Sequence, residues 1–417
     1  MNTDINRKTK VDYLLVFLIT AISGMPFFNG DLPLMLVFGV SLLVFIFRKK
    51  QLYPFYFFIL FAFVILVLLH SLRENYFPMN TYIGMAFKIS AAYFVVITVN
   101  QNFTKLFVNI IVFFSIISYF FFIPLVLSPA LDGILNGIGI VPPFEPYVTK
   151  SLLLYHLNLD RPEGLYRNCG PFWEPAAFGG YLLIALMFNM AEKGNIKGRK
   201  NIILIITLIS TLSTTIFVLL SILMFFYFFF SQKFIVKLFT VPVILTVFGI
   251  AFVQLPFLQE KMMKEWRRGD LTYEMRHNDL VGHSRLSSAI ADYKDFIKYP
   301  VIGRGMFPTT YFDARDILTR HNGLTKQIAQ FGIIGVLLYF IPIFRTFNRL
   351  VLFSNLKNAL GTIFFIMILG MGIAEVYFDK VFFWGLVFLH LVLVPQTFST
   401  PETQESEKLR DLRLRSA

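Results

Sequence analysis

The stretch 160–181, DRPEGLYRNCGPFWEPAAFGGY, sets Arg161, Arg167, Trp173 and Glu174 in a Gly/Pro-rich turn directly before an apolar run. Guanidinium groups bind phosphate oxygens in a bidentate fork, and a carboxylate at a membrane boundary can accept a proton. A second polar stretch, far along the chain, holds Arg285, Arg304, His321 and Asn322. Imidazole, with an ordinary pKa near 6.5, is a base available at neutrality. The two stretches are expected to form the halves of one site at a membrane face. Each residue alone has a plainer reading. Glu174 can sit at the positive end of the helix that Pro175 opens, with Gly179 and Gly180 admitting a close neighbour. The arginines can snorkel to headgroups, Arg285 can join a surface salt bridge, and His321 can be a hydrogen-bonded interface residue. Lys88, inside an apolar run, is costly unless it faces a polar cavity or pairs with a carboxylate such as Glu375.

Other chemistries are disfavoured. One cysteine, Cys169, allows no intrachain disulfide and no cysteine-built metal site. His277 and His283 form no tight metal-binding pair, and no Asp-x-Asp pair or Walker-type glycine loop occurs. No metal and no cofactor are expected.

These residues belong to a chain of 417 residues that is 56% hydrophobic and 15% charged, with 51 Phe and a mean hydropathy of +0.66. Soluble domains carry about a quarter charged residues, and apolar runs long enough to cross a bilayer recur throughout. The expectation is an all-α, polytopic membrane helix bundle of about twelve spans with two long extracytoplasmic loops. The runs fall at 11–28, 32–47, 52–71, 82–99 and 103–128, the last interrupted by Pro124. They continue at 175–191, 201–230, 234–258, 324–347, 360–376 and 381–394. The Ser/Thr cluster at 210–215 predicts a hairpin of two short helices within 201–230, the alternative being one long tilted helix. The chain thus divides into spans over 1–128, a polar loop over 129–173, spans over 174–258, a second loop over 259–323, spans over 324–399 and a charged tail over 400–417. In the second loop, Leu286, Ile290, Tyr293 and Ile297 share one helical stripe, with Ser284 as cap and Pro300 as stop. Such a helix would lie on the membrane surface or across the bundle mouth.

Basic clusters at 7–10, 48–50, 193–200, 233–237, 345–357 and 408–415 fall on one side, which the positive-inside rule makes cytoplasmic together with both termini. That asymmetry accounts for the net charge of +13 with no nucleic-acid partner. The first apolar run has no small-residue cleavage site and reads as a retained span.

The run Arg167-Asn168-Cys169-Gly170-Pro171-Phe172-Trp173-Glu174-Pro175 is followed in order by Arg285, Pro300, Gly303, Gly305, His321-Asn322 and Gly332-Ile333-Ile334-Gly335. This order resembles the pattern of the bacterial O-antigen and exopolysaccharide polymerases and O-antigen ligases, over residues 160–345. The resemblance implies a GT-C-type, metal-independent glycosyltransferase of the bacterial cytoplasmic (inner) membrane. Its substrates would be an undecaprenyl-diphosphate-linked oligosaccharide donor and a glycan acceptor on the outer face, with inversion at the anomeric carbon. It further implies that Arg167 and Arg285 clamp the diphosphate with Arg161, that Asn322, Arg304 and Lys88 support them, and that His321, ahead of Glu174, is the base. Membrane lipids, a chain-length regulator and a flippase are the implied partners. The Gly-Pro-Phe-Trp-Glu-Pro stretch favours a polymerase, while His-Asn with Gly-x-x-Gly suits a ligase as well. A protein O-oligosaccharyltransferase is a third relative. A polysaccharide or lipid transporter is the competitor from another class, expected to place its polar residues near midmembrane in matched halves.

Overall fold

The computed structural model describes residues 2–128, 130–142, 149–157, 165–231, 285–306 and 320–393. The expected span at 234–258, Arg161, His277, His283, Ser284 and the tail at 400–417 lie outside the described residues.

Thirteen helices follow one another in this part of the chain: α1 (Asn2–Gly24), α2 (Asp31–Phe47), α3 (Pro54–Glu74), α4 (Met79–Val99), α5 (Phe103–Leu127), α6 (Ala130–Ile138), α7 (Pro175–Lys193), α8 (Arg199–Ser210), α9 (Thr214–Ser231), α10 (Arg285–Lys298), α11 (Gly323–Leu352), α12 (Ala359–Ala374) and α13 (Val381–Leu389). The sole sheet among the described residues pairs β1 (Lys150–Ser151) with β2 (His156–Leu157). Four stretches are long and apolar enough to cross a membrane: Pro54–Glu74, the α4–α5 run Met79–Leu127, Pro175–Lys193 and Gly323–Leu352. Asp31–Phe47, Thr214–Phe230 and Ala359–Ala374 are shorter apolar helices. The molecule is therefore an all-α bundle of the membrane type, with four stretches of spanning length among the described residues. Pro124 does not interrupt α5. It stands in the last turn, where its missing N–H costs one bond, and Ser128 N–H still closes on its carbonyl at 2.8 Å.

Apolar composition on every side marks the helices at the centre. All nine residues of α13 are buried, as are Pro175–Ala191 of α7 and Ile89–Val99 of α4. Outer helices instead expose apolar side chains, such as Leu36 and Leu43 on α2 and Phe57, Phe61 and Leu68 on α3. That is the surface expected of helices that face lipid.

Among the helices too short to cross are α8 and α13. At 1.5 Å per residue α8 rises about 18 Å and α13 about 13 Å, against a hydrocarbon core of about 30 Å. The Ser/Thr cluster does end α8, and α9 starts after three intervening residues, among them Leu212 at φ 46°. Two loops are inserted into the bundle beside these short helices. In 165–174, Asn168, Cys169 and Phe172 are fully buried, and in 375–380 so are Tyr377 and Phe378.

The helix α10 sits polar side down. Ser287, Ser288, Asp292 and Asp295 are buried, while Leu286, Tyr293 and Ile297, three of the four residues of the apolar stripe, are exposed. The turn behind it, 299–305, fills a break in α11. Gly332 (φ 60°) interrupts that helix, and Gly303 (φ 78°) passes so close that a Cβ on Gly332 would lie 2.5 Å from the Gly303 nitrogen. The freed backbone groups find partners across this contact: Arg304 N–H donates to Ala329 O, Gly305 N–H to Gln330 O, Ile333 N–H to Pro300 O and Ile334 N–H to Val301 O. From α3, Arg73 donates to the carbonyls of Gly303 and Arg304 and stacks on the Tyr299 ring at 3.9 Å.

Candidate active site

Loop 165–174 is held from three sides. Asn168 donates through Nδ2 to Ser118 Oγ of α5 at 2.9 Å and to Ser210 Oγ of α8 at 3.1 Å, and its Oδ1 accepts from Gly170 N–H. Phe172 stacks on Phe178 and Tyr181 of α7. With both neighbours fixed, Trp173 and Glu174 are presented at the start of α7. Gly180 leaves room for Tyr377, whose hydroxyl donates to Ala176 O at 2.7 Å, so loop 375–380 is locked against the same helix end.

The two inserted loops meet α10 at one point. Arg285 Nη2 lies 2.8 Å from Glu375 Oε1 and 3.9 Å from Glu174 Oε2, and Arg285 Nε donates to Ala374 O. Trp173 Nε1 donates to the other oxygen of Glu375 at 3.3 Å. Glu174 is the N-cap residue of α7, yet its side chain caps nothing; it turns to the arginine. Side-chain exposure grades from 11% at Glu375 through 26% at Arg285 to 49% at Glu174, so the cluster opens on the Glu174 side. Burial in the recess, then the facing carboxylate of Glu375 and a hydrogen bond shared with it, push the Glu174 carboxyl up to about 8, against the pull of Arg285 and Arg167. Although half of that side chain is accessible, protein mass surrounds it, and the neighbouring carboxylate acts in the same direction as burial. Arg167 thus belongs to the cluster electrostatically, with its Nε donating to Thr211 O at 3.3 Å.

His321 and Asn322 stand beside this cluster. His321 N–H donates to Ser288 Oγ, one turn along α10 from Arg285, and the Cβ position of Gly323 falls 2.4 Å from the Glu375 carbonyl. The Nε2 atom of His321 is sealed from solvent. Asn322 has a structural job: its Oδ1 accepts from Thr325 N–H at 3.1 Å as the N-cap of α11.

Arg304 is placed otherwise. It is fully buried, with Nε 3.2 Å from Asp295 Oδ2, and Arg320 pairs with both Asp295 (3.2 Å) and Asp292 (3.6 Å). Thr325 Oγ1 donates to Asp292 at 2.7 Å. Burial pushes the Asp292 carboxyl up to about 6 against Arg320. These groups fasten α10 to the bundle. The charges that act most on Lys88 are those of Asp379, Lys380, Lys326 and Asp31, and the suggested Glu375 is not among them.

Sequence reasoning thus reached Glu174, Arg285 and Arg167, while Glu375 entered only as a partner for Lys88, and Arg320, Lys326, Asp379 and Lys380 not at all. The signal was present in the run Glu375-Val376-Tyr377-Phe378-Asp379-Lys380, three charges between two apolar stretches. Among the described residues no group of three or more His, Cys, Asp or Glu could hold a metal ion. In comparison with known proteins, the chain matches no family model and no curated protein.

Proposed function

We propose that the protein is a membrane glycosyltransferase that polymerises lipid-diphosphate-linked oligosaccharides on the outer face of a bacterial cytoplasmic membrane. The observation that carries this reading is the Glu174–Glu375 pair bridged by Arg285 in a recess between two inserted loops. A carboxyl raised to about 8 beside an ion-paired neighbour is, once ionised, a stronger base than an ordinary carboxylate and so is suited to take a proton from an attacking hydroxyl. Glu174 therefore replaces His321 as the preferred base, because it is half exposed while His321 Nε2 is shut away from solvent. Trp173 offers an aromatic face beside it for a sugar ring, and the apolar face of α10 would rest in the outer membrane interface. The grouping of basic residues at the opposite end, Arg48, Lys49, Lys50, Lys193, Lys197, Arg345 and Arg349 among them, supports cytoplasmic termini. The order of the motifs supports the O-antigen polymerase resemblance and a GT-C-like architecture of about twelve spans; a ligase would use the same site.

Deletion of the gene in its host, followed by electrophoresis of surface glycans, tests the reading. Loss of the ladder with single repeats retained is the expected result; long chains left on the lipid carrier with bare lipid A core would mean a ligase. One observation favours the transporter reading: Lys88 lies about 14 Å along α4 from its Met79 end, where the charge of Asp379 acts on it. An unchanged glycan pattern on deletion would support that alternative.

A further inference from the structure

A cavity of about 350 Å³ opens at the end of α11 that lies away from the Glu174 site. Its walls are Arg345, Asn348, Arg349 and Leu352 of α11 and Asn358, the N-cap residue of α12. That volume falls within the range of small-ligand pockets, about 300–1,000 Å³. Four of the five lining residues are polar, two of them are cations, and none is a carboxylate. No Asp or Glu occurs anywhere from Leu324 to Ala374. Arg349 commits one donor to His390 O at 2.6 Å, which ties it to the end of α13 and leaves its other donors over. The side chains of Arg345 and Asn348 make no hydrogen bond or ion pair among the described residues. The positive-inside rule accounts for basic residues at this end. It does not account for two guanidinium groups, one helical turn apart, sharing a cavity with two carboxamides.

Depth and surroundings identify the anion that fits. Gly323, packed on Glu375, marks the end of α11 at the Glu174 site. Arg345 lies about 33 Å along the helix from it, against a hydrocarbon core of about 30 Å, so the cavity falls at headgroup depth in the opposite leaflet. Ile334, Leu337 and Ile341 are exposed and lead to Arg345 at successive helical spacings of three and four residues. An apolar track that ends at a cation has the outline of a phospholipid; a free phosphate would leave the track unused.

We infer that Arg345, Asn348, Arg349 and Asn358 form a binding site for the headgroup of an anionic phospholipid of the phosphatidylglycerol type. The guanidinium groups take the phosphodiester oxygens, the carboxamides take the headgroup hydroxyls, and an acyl chain lies along Ile334, Leu337 and Ile341. The bound lipid bridges the end of α11 to the start of α12. This site is independent of the glycosyl-transfer reading.

The test places the full-length protein in phosphatidylcholine nanodiscs doped with a phosphatidylglycerol that carries a photoreactive diazirine on its acyl chain. After illumination, crosslinks should map to the α11 peptide that holds Leu337 and Ile341. A phosphatidylcholine bearing the same diazirine should label that peptide at least about fivefold less, the discrimination that one surface arginine supplies. Arg345→Gln, which removes no hydrogen bond or ion pair among the described residues, should lower phosphatidylglycerol labelling by a similar factor. Asn358→Lys should raise it, a gain that misfolding cannot imitate. No labelling of this peptide, equal labelling by the two lipids, or full labelling in an Arg345→Gln/Arg349→Gln variant overturns the proposal. Suppression by soluble glycerol phosphate at comparable concentration would make the cavity a site for a free phosphate and overturn the lipid assignment.

Discussion

The chain builds two clusters from the same materials, arginine and carboxylate, and gives them opposite treatment. Around Asp292 and Asp295, two guanidinium groups meet two carboxylates with side-chain exposures of 7% or less, and Thr325 takes up a remaining lone pair. Around Arg285, one guanidinium meets two carboxylates, and exposure rises to 49% at Glu174. The first cluster balances its charge and excludes water, which makes it a fastener. The second pairs only one guanidinium directly with its two carboxylates, Arg167 adding its charge from beside Thr211, and it is open, so one carboxyl is left with a proton to trade. Charge count and access, rather than residue type, separate structure from chemistry here.

The largest effect should come from breaking the fastener. Arg320→Ala leaves the buried Asp292 without a guanidinium and Asp295 with Arg304 alone, and should cost about 3–5 kcal/mol, seen as a lowered melting temperature in detergent and poor membrane yield; a melting temperature equal to the wild type would refute a structural role. Arg285→Ala inverts that pattern, with glycan polymerisation falling on the order of a hundredfold while melting changes little. Normal chain length in this variant would show that the open cluster is not the active site.

The comparison sharpens with pH. Because the folded state holds the Glu174 proton up to about 8, against an ordinary 4.5, it binds more protons than the unfolded chain between those values. Stability should therefore fall as pH rises through this window and level off above it. Glu174→Gln should flatten the slope and melt higher than the wild type above pH 8; a slope left unchanged would mean that Glu174 does not carry the proton. The smallest effect belongs to Asn322→Ala, which removes an N-cap at a cost of about 1 kcal/mol. An activity loss much larger than that stability loss, measured in the same preparation, would return Asn322 to the binding site.

Local features of the chain carried much of this. The apolar runs mark α2, α3, α4, α5 and α7, helices of 17 to 25 residues, to within a few positions. The break at the Ser/Thr cluster and the end of α10 before Pro300 were legible because they depend on local chemistry. The glycine spacing was legible as a pattern but not as a cause, since Gly303 and Gly332 are 29 positions apart and touch only across the broken helix.

By itself the sequence determined an all-α membrane bundle, the start of α7 at Pro175 and the concentration of polar residues around it, because hydropathy and turn chemistry act over a few residues. Only the tertiary structure decided that Arg285 is placed against Glu375, that Arg304 is a fastener, that α10 turns its apolar face outward, and that Lys326 pairs with Asp379. Those outcomes depend on which charges are brought within a few ångströms inside a low-dielectric bundle, where each must find a partner from wherever in the chain one is delivered.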